Sequence, residues 1–175
     1  MIMAFILKCW ERLVKLFPNG SRRIPDEIDT KEKLVRGIYS PINVKVNKST
    51  NTKSLQPNAF KSPSGKDEVS ILRLKFTTPN FCKKFIKKGH VEKQREYVGL
   101  AVLHYHEVVS SKAWAVYSPL PDALMHGDIK TGYVLQRGQA APAELNLILK
   151  DLVRYARFRE DPQPVSNKWN GGPLE

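Results

Sequence analysis

The segment Glu68 to Phe76, EVSILRLKF, alternates closely enough to predict a strand, with Ser70, Leu72, Leu74 and Phe76 on the inward side. The period then changes. Thr78 and Pro79 form a helix start, Gly89 a stop, and between them Phe81, Cys82, Phe85 and Ile86 fall on one face with Lys83, Lys84, Lys87 and Lys88 on the other. Leu34 to Val46 is rich in β-branched and aromatic residues but holds Gly37 and Pro41, so it reads as one bent strand or two short ones. Tyr97 to Val109 and Lys112 to Ser118 read as two strands joined at Ser110 and Ser111. Pro142 opens a helix reaching about Arg159, with Leu145, Leu149, Leu152 and Ala156 turned inward.

Two stretches carry no such period. Residues 47–67 are dominated by Asn, Ser, Thr, Lys, Pro and Gly, which predicts a long loop pinned by Leu55 and Phe60. Residues 161–175 hold three prolines and two adjacent glycines and read as a poorly ordered tail anchored by Trp169. At the other end, residues 2–17 place Lys8, Glu11, Arg12 and Lys15 on one helical face and large apolar side chains opposite. Sixteen residues with four charges fall short of the roughly 20 apolar residues needed to cross a bilayer, so no transmembrane segment is expected. The amphipathic helix predicted for residues 1–20 fits its own core, a partner protein or a membrane surface. The elements do not alternate as a doubly wound fold requires. They predict an α+β domain over residues 21–160, with a mainly antiparallel sheet, helices on one face and a long C-terminal helix.

Charge changes this picture more than size does. A chain of 175 residues fits one core, but its net charge of +12 is unevenly placed. Residues 1–66 carry thirteen Lys or Arg against five acids, residues 67–100 eight against four, and residues 101–175 eight of each. A basic front portion favours a polyanionic partner, with Arg22, Arg23, Arg36, Lys83, Lys84, Lys87 and Lys88 as the nucleic-acid contacts. Two cysteines, Cys9 and Cys82, make no disulfide framework and no zinc spacing, which suits a reducing, cytoplasmic setting.

Candidate chemistry gathers at His104-Tyr105-His106-Glu107 and His126-Gly127-Asp128. On a strand His104 and His106 would share a side, and a following loop would bring His126 and Asp128 to meet them. Such a set suits zinc or another borderline metal or, without metal, acid–base cleavage of RNA with Lys or Arg stabilising the phosphorane; it also reads as polar residues on the solvated face of a strand and in a turn. No HExxH or HxE with PCxxC occurs, and no metal or cofactor is expected. P-loop, GxGxxG and GxSxG patterns are missing as well.

Arg36-Gly37, followed by Ser70 in EVSILR, resembles the first two elements of the Arg-Ser-Glu type of ADP-ribosyltransferase fold. No glutamate in its usual motif follows, so the resemblance assigns no residue a role. The sequence thus predicts a nucleic-acid-binding protein, a subunit of a larger assembly, with a histidine-dependent ribonuclease as its catalytic form. The other expectations are an adaptor docking through its N-terminal helix and a peripheral membrane protein.

Overall fold

The computed structural model describes residues 23–88 and 95–174, so the expected helix at residues 1–20 and the candidate Arg22 lie outside the described residues. In chain order the elements are β1 (Lys33–Ser40), β2 (Val44–Val46), β3 (Lys53–Leu55), a 3-10 turn (Pro57–Phe60), β4 (Val69–Arg73), α1 (Pro79–Lys88), β5 (Glu96–His104), α2 (Tyr105–Ser110), β6 (Trp114–Tyr117), β7 (His126–Lys130), α3 (Ala143–Tyr155) and β8 (Arg157–Glu160). Six strands form one antiparallel sheet in the order β6-β7-β4-β1-β5-β8, and β2 and β3 form a separate hairpin. The α+β class follows. None of the helices among the described residues is long and apolar enough to cross a membrane.

The central strands are apolar at consecutive positions, as in Leu34-Val35, Ile71-Leu72 and Leu100 to Leu103, so both sheet faces need cover. Leu34, Ile38, Ile71, Ala101 and Leu103 pack with Leu145, Leu149 and Leu152 of α3. Val35, Leu72, Leu100 and Val102 pack with Cys82 and Ile86 of α1. Helices therefore lie on both faces, which corrects the one-faced arrangement read from the sequence. The start of α1 holds as expected, with Thr78 Oγ1 accepting from the Phe81 amide at 3.3 Å, while the expected stop at Gly89 lies outside the described residues.

The C-terminal helix is shorter than the pattern suggested. It stops at Tyr155 because Ala156 is extended, and the next four residues pair with β5 as β8. Gly99 makes that pairing possible: a Cβ there would stand 2.3 Å from the Arg159 carbonyl oxygen. The predicted hairpin at Ser110 and Ser111 is also corrected, since β5 ends at His104, α2 follows, and β6 pairs with β7. Within the expected loop at 47–67, β3 and the 3-10 turn are ordered elements, and Phe60 is fully buried.

The segment 161–174 is packed where a loose tail was expected. Asp161 forms an ion pair with Lys83 at 2.6 Å, and both side chains are 0% exposed. Lys83 also donates to the carbonyls of Gln163 and Lys168, and Lys87 donates to those of Val165 and Ser166. Trp169 and Leu174 join the core beneath α1. Two lysines of the supposed outer face of α1 thus fasten the end of the chain.

Candidate functional site

The ladder between β1 and β4 ends at Val35 and Leu72. Past that point the Arg36 side chain bridges the strands, its Nη1 donating to the Ser70 carbonyl at 2.9 Å and its Nε to the Ala59 carbonyl at 3.2 Å. Burial draws the guanidinium pKa below its usual value, opposed by Tyr39 and Asp128 and aided by the charge of Arg95. Nη2 has no hydrogen-bond partner among the described residues. The arginine is therefore held in place by backbone.

The α1 side of the sheet carries a cleft of about 370 Å³, lined by Ser70, Phe85, Lys88, Asp122 and His126 and bordered by the β1 segment Val35 to Gly37, whose Arg36 side chain leaves toward the α3 side with those of Leu34 and Ile38. That volume is within the range of small-ligand sites, roughly 300–1,000 Å³. Its floor is set by strand register. Ser70 of β4 stands opposite Asp128 of β7, and Leu72 opposite His126, so all four point to the α1 side. Its wall is α1, which can approach because position 37 is glycine: a Cβ there would meet Ile86 Cγ2 at 2.4 Å. Its rim is the turn before β7, from which Asp122 Oδ2 meets Lys88 Nζ at 2.9 Å. That ammonium holds the exposed Asp122 carboxyl below its usual pKa.

His126 is 5% exposed and its ring meets Phe85 edge-on, with centroids 6.4 Å apart. Its Nδ1 lies 2.7 Å from the Ser118 carbonyl oxygen. A carbonyl only accepts, so Nδ1 carries the proton in this contact and Nε2 of the neutral ring carries the lone pair. Nε2 has no partner among the described residues. Asp128 is not bonded to the ring; its Oδ2 accepts from the Ser118 hydroxyl at 2.7 Å.

The other histidines are elsewhere. His104 pairs with Lys33 at the far end of β5, and β7, β4, β1 and β5 are successive strands. Three strand spacings amount to roughly 14 Å, so the expected meeting of His104 and His106 with His126 and Asp128 does not occur. Nor do His104 and His106 share a strand, because Tyr105 begins α2; their rings nonetheless stack at 5.5 Å. Glu107 accepts from the His104 amide at 2.7 Å and takes both arms of Arg157, at 2.9 and 2.6 Å. Burial raises the pKa of this carboxyl, but Arg157 and the His104 amide outweigh that and lower it overall. This motif fastens α2 to β8.

Among the nominated cations, Lys88 borders the cleft, Arg36 turns its side chain toward the α3 side, and Lys84 is exposed on α1. Arg23 is exposed 4.0 Å from Asp26. Lys83 and Lys87 are withdrawn from that list by their bonds to segment 161–174. Arg73 and Lys53 are likewise engaged, the first by Glu32 in a buried bidentate pair and the second by Glu160. The basic excess of the front half is thus partly neutralised inside the fold. Phe85 and Asp122 at the cleft, and Arg95 whose charge acts on Arg36, carried no functional signal in the sequence. Only sheet register and the placement of α1 reveal them.

Arg36 and Ser70, the two positions resembling the ADP-ribosyltransferase pattern, do adjoin, but no glutamate is found among the described residues of the cleft lining. Cys82 is buried in the core, which pushes its thiol up to about 12 and removes it as a nucleophile. Among the described residues no three His, Cys, Asp or Glu side chains gather as metal ligands. Compared with protein-family models, curated proteins and solved structures, the chain matches none.

Proposed function

We propose that this chain binds a single-stranded nucleic acid, seating a phosphate and its neighbouring base in the cleft between α1 and the sheet. The observation that carries the reading is the cleft on the α1 side of the sheet, where the Lys88 ammonium at the rim stands with the Phe85 ring of the wall. Lys88 supplies a cation for a phosphate once Asp122 yields it, and that exposed pair is worth only about 0–1 kcal/mol. Phe85 is partly exposed and offers a ring face on which a base can stack. The wider basic surface contributes through Lys84 and Arg95.

Fluorescence anisotropy with labelled single-stranded RNA and DNA, repeated at rising salt, tests this. Binding should weaken with salt, and Lys88→Ala should lower the magnitude of the log–log slope by about one. Phe85→Ala should cost about 1–3 kcal/mol of affinity for either strand. Affinity that ignores salt, or that survives Lys88→Ala combined with Phe85→Ala, would overturn the reading.

A further inference from the structure

We infer that this cleft selects guanine. The unpartnered Nε2 of His126 and the Asp122 carboxylate accept the adjacent N1–H and 2-amino hydrogens of one base, which stacks on Phe85. This rests on the nucleic-acid reading above and names the base at which the strand is held.

The acceptor on the sheet side is His126. It is 5% exposed, and the Ser118 carbonyl holds the proton on Nδ1, so Nε2 presents a lone pair. That atom has no partner among the described residues yet is not sealed from solvent, and the cleft is the space that the residue lines. A largely buried acceptor without a partner costs free energy, which a ligand N–H recovers. The acceptor on the rim side is Asp122. Lys88 first, and the charge of His126 in addition, hold its carboxyl below the usual range, so at neutral pH it only accepts. The two acceptors are thus close enough to act on each other. Phe85 completes the frame. Its ring meets the imidazole edge-on and is backed by the parallel ring of Phe81, 6.1 Å away. A base lying flat on Phe85 brings its edge to the imidazole.

Two neighbouring acceptors choose among the bases by hydrogen-bond pattern. Guanine alone carries two adjacent donors on its Watson–Crick edge, the N1–H and the 2-amino group. Adenine and cytosine each offer one amino group beside a ring nitrogen that accepts, which sets lone pair against lone pair. Uracil and thymine offer one N–H between two carbonyls, with the same conflict on either side. A guanine that engages Asp122 also loosens its hold on Lys88, whose ammonium then turns to the phosphate. One carboxylate therefore couples base choice to backbone binding.

The test uses the full chain and labelled oligothymidine strands whose central base is guanine, hypoxanthine, adenine, cytosine or thymine. Fluorescence anisotropy reads their binding, and titration calorimetry compares GMP with AMP. The guanine strand should bind tightest, about tenfold or more above the adenine, cytosine and thymine strands, with hypoxanthine, which lacks the 2-amino group, between them. Asp122→Ala should raise affinity for the thymine strand by freeing Lys88, yet bring the guanine-to-adenine ratio down toward one. His126→Leu keeps an apolar contact with Phe85 and should lower the same ratio. Thermal melts show whether that variant folds, and the exposed position 122 decides the matter if it does not. Equal affinity for every strand, preference for another base, or a guanine preference that survives Asp122→Ala or a folded His126→Leu overturns the inference. Salt-dependent binding without base preference does so while sparing the nucleic-acid reading. GMP favoured over AMP with no strand bound keeps the guanine site and sinks the strand reading, whereas no binding of any strand or nucleotide sinks both.

Discussion

Removing the charge of Lys83 should unfold this protein rather than weaken its grip on a ligand. The ammonium is fully buried, 2.6 Å from Asp161 Oδ2, and donates to the carbonyls of Gln163 and Lys168. Lys83→Met keeps the aliphatic stem but abandons three acceptors at once, one of them a buried carboxylate. Breaking one side of a buried pair costs about 3–5 kcal/mol, and two orphaned carbonyls place this variant at the upper end. Asp161→Asn leaves the ammonium its two carbonyls and belongs at the lower end. At roughly 2–4 °C per kcal/mol for a chain of this size, Lys83→Met should lower Tm by about 10–20 °C and Asp161→Asn by about 6–12 °C. The double variant should be less destabilised than the sum, because each single change strands the other's partner. Thermal melts and urea titrations of the four proteins measure the cycle. A Lys83→Met cost under about 1 kcal/mol, the level of an exposed pair, would refute the packing of segment 161–174 against α1. So would a change in salt slope for nucleic-acid binding with no change in Tm, since it would return Lys83 to the surface.

Gly99→Ala should destabilise by about 1–3 kcal/mol and selectively loosen β8, because its Cβ would meet the Arg159 carbonyl oxygen at 2.3 Å. Hydrogen exchange at the β8 amides measures that loosening, and exchange equal to wild type would count against the pairing. Glu107 has its carboxyl pKa lowered in the fold, so its contribution is fully present above the unfolded value of about 4.3 and is lost as pH falls through the folded value. Glu107→Gln should cost about 1–3 kcal/mol at neutral pH and flatten the acid side of the stability curve. An unchanged acid limb in urea titrations between roughly pH 2 and pH 5 would contradict the clamp on Arg157.

The folded positions explain which parts of the site were legible. The helix face of α1 and the strand at β4 were readable because each rests on a local period, and Thr78 and Pro79 mark a start that neighbours in sequence suffice to make. His126 and Asp128 stood out as unusual residues in a short motif. The place of His126 in the cleft was not readable, since β7 and β1 meet only through β4. Lys83 and Lys87 misled for a related reason: amphipathic spacing says which face is polar, but not whether another segment will cover it. The strand pattern at Tyr97 to Val109 failed at Tyr105, where the capping contact from Glu107 to the His104 amide turns the chain into α2.

The sequence by itself determined the α+β class, the strand at β4, the helix α1 with its start, and the concentration of cations in the first hundred residues. These depend on neighbours within a few positions along the chain, or on counting. Tertiary structure alone decided that both sheet faces are covered, that α3 stops to let β8 pair, and that segment 161–174 packs on α1. It alone brought Ser70, Phe85, Lys88 and His126 to one cleft while sending His104 and His106 to the far end of β5. The physical reason is that antiparallel register between β4, β7 and β1 joins residues as far apart in sequence as Val69 and Ile129, and such pairing is chosen by burying two apolar faces together rather than by any local preference.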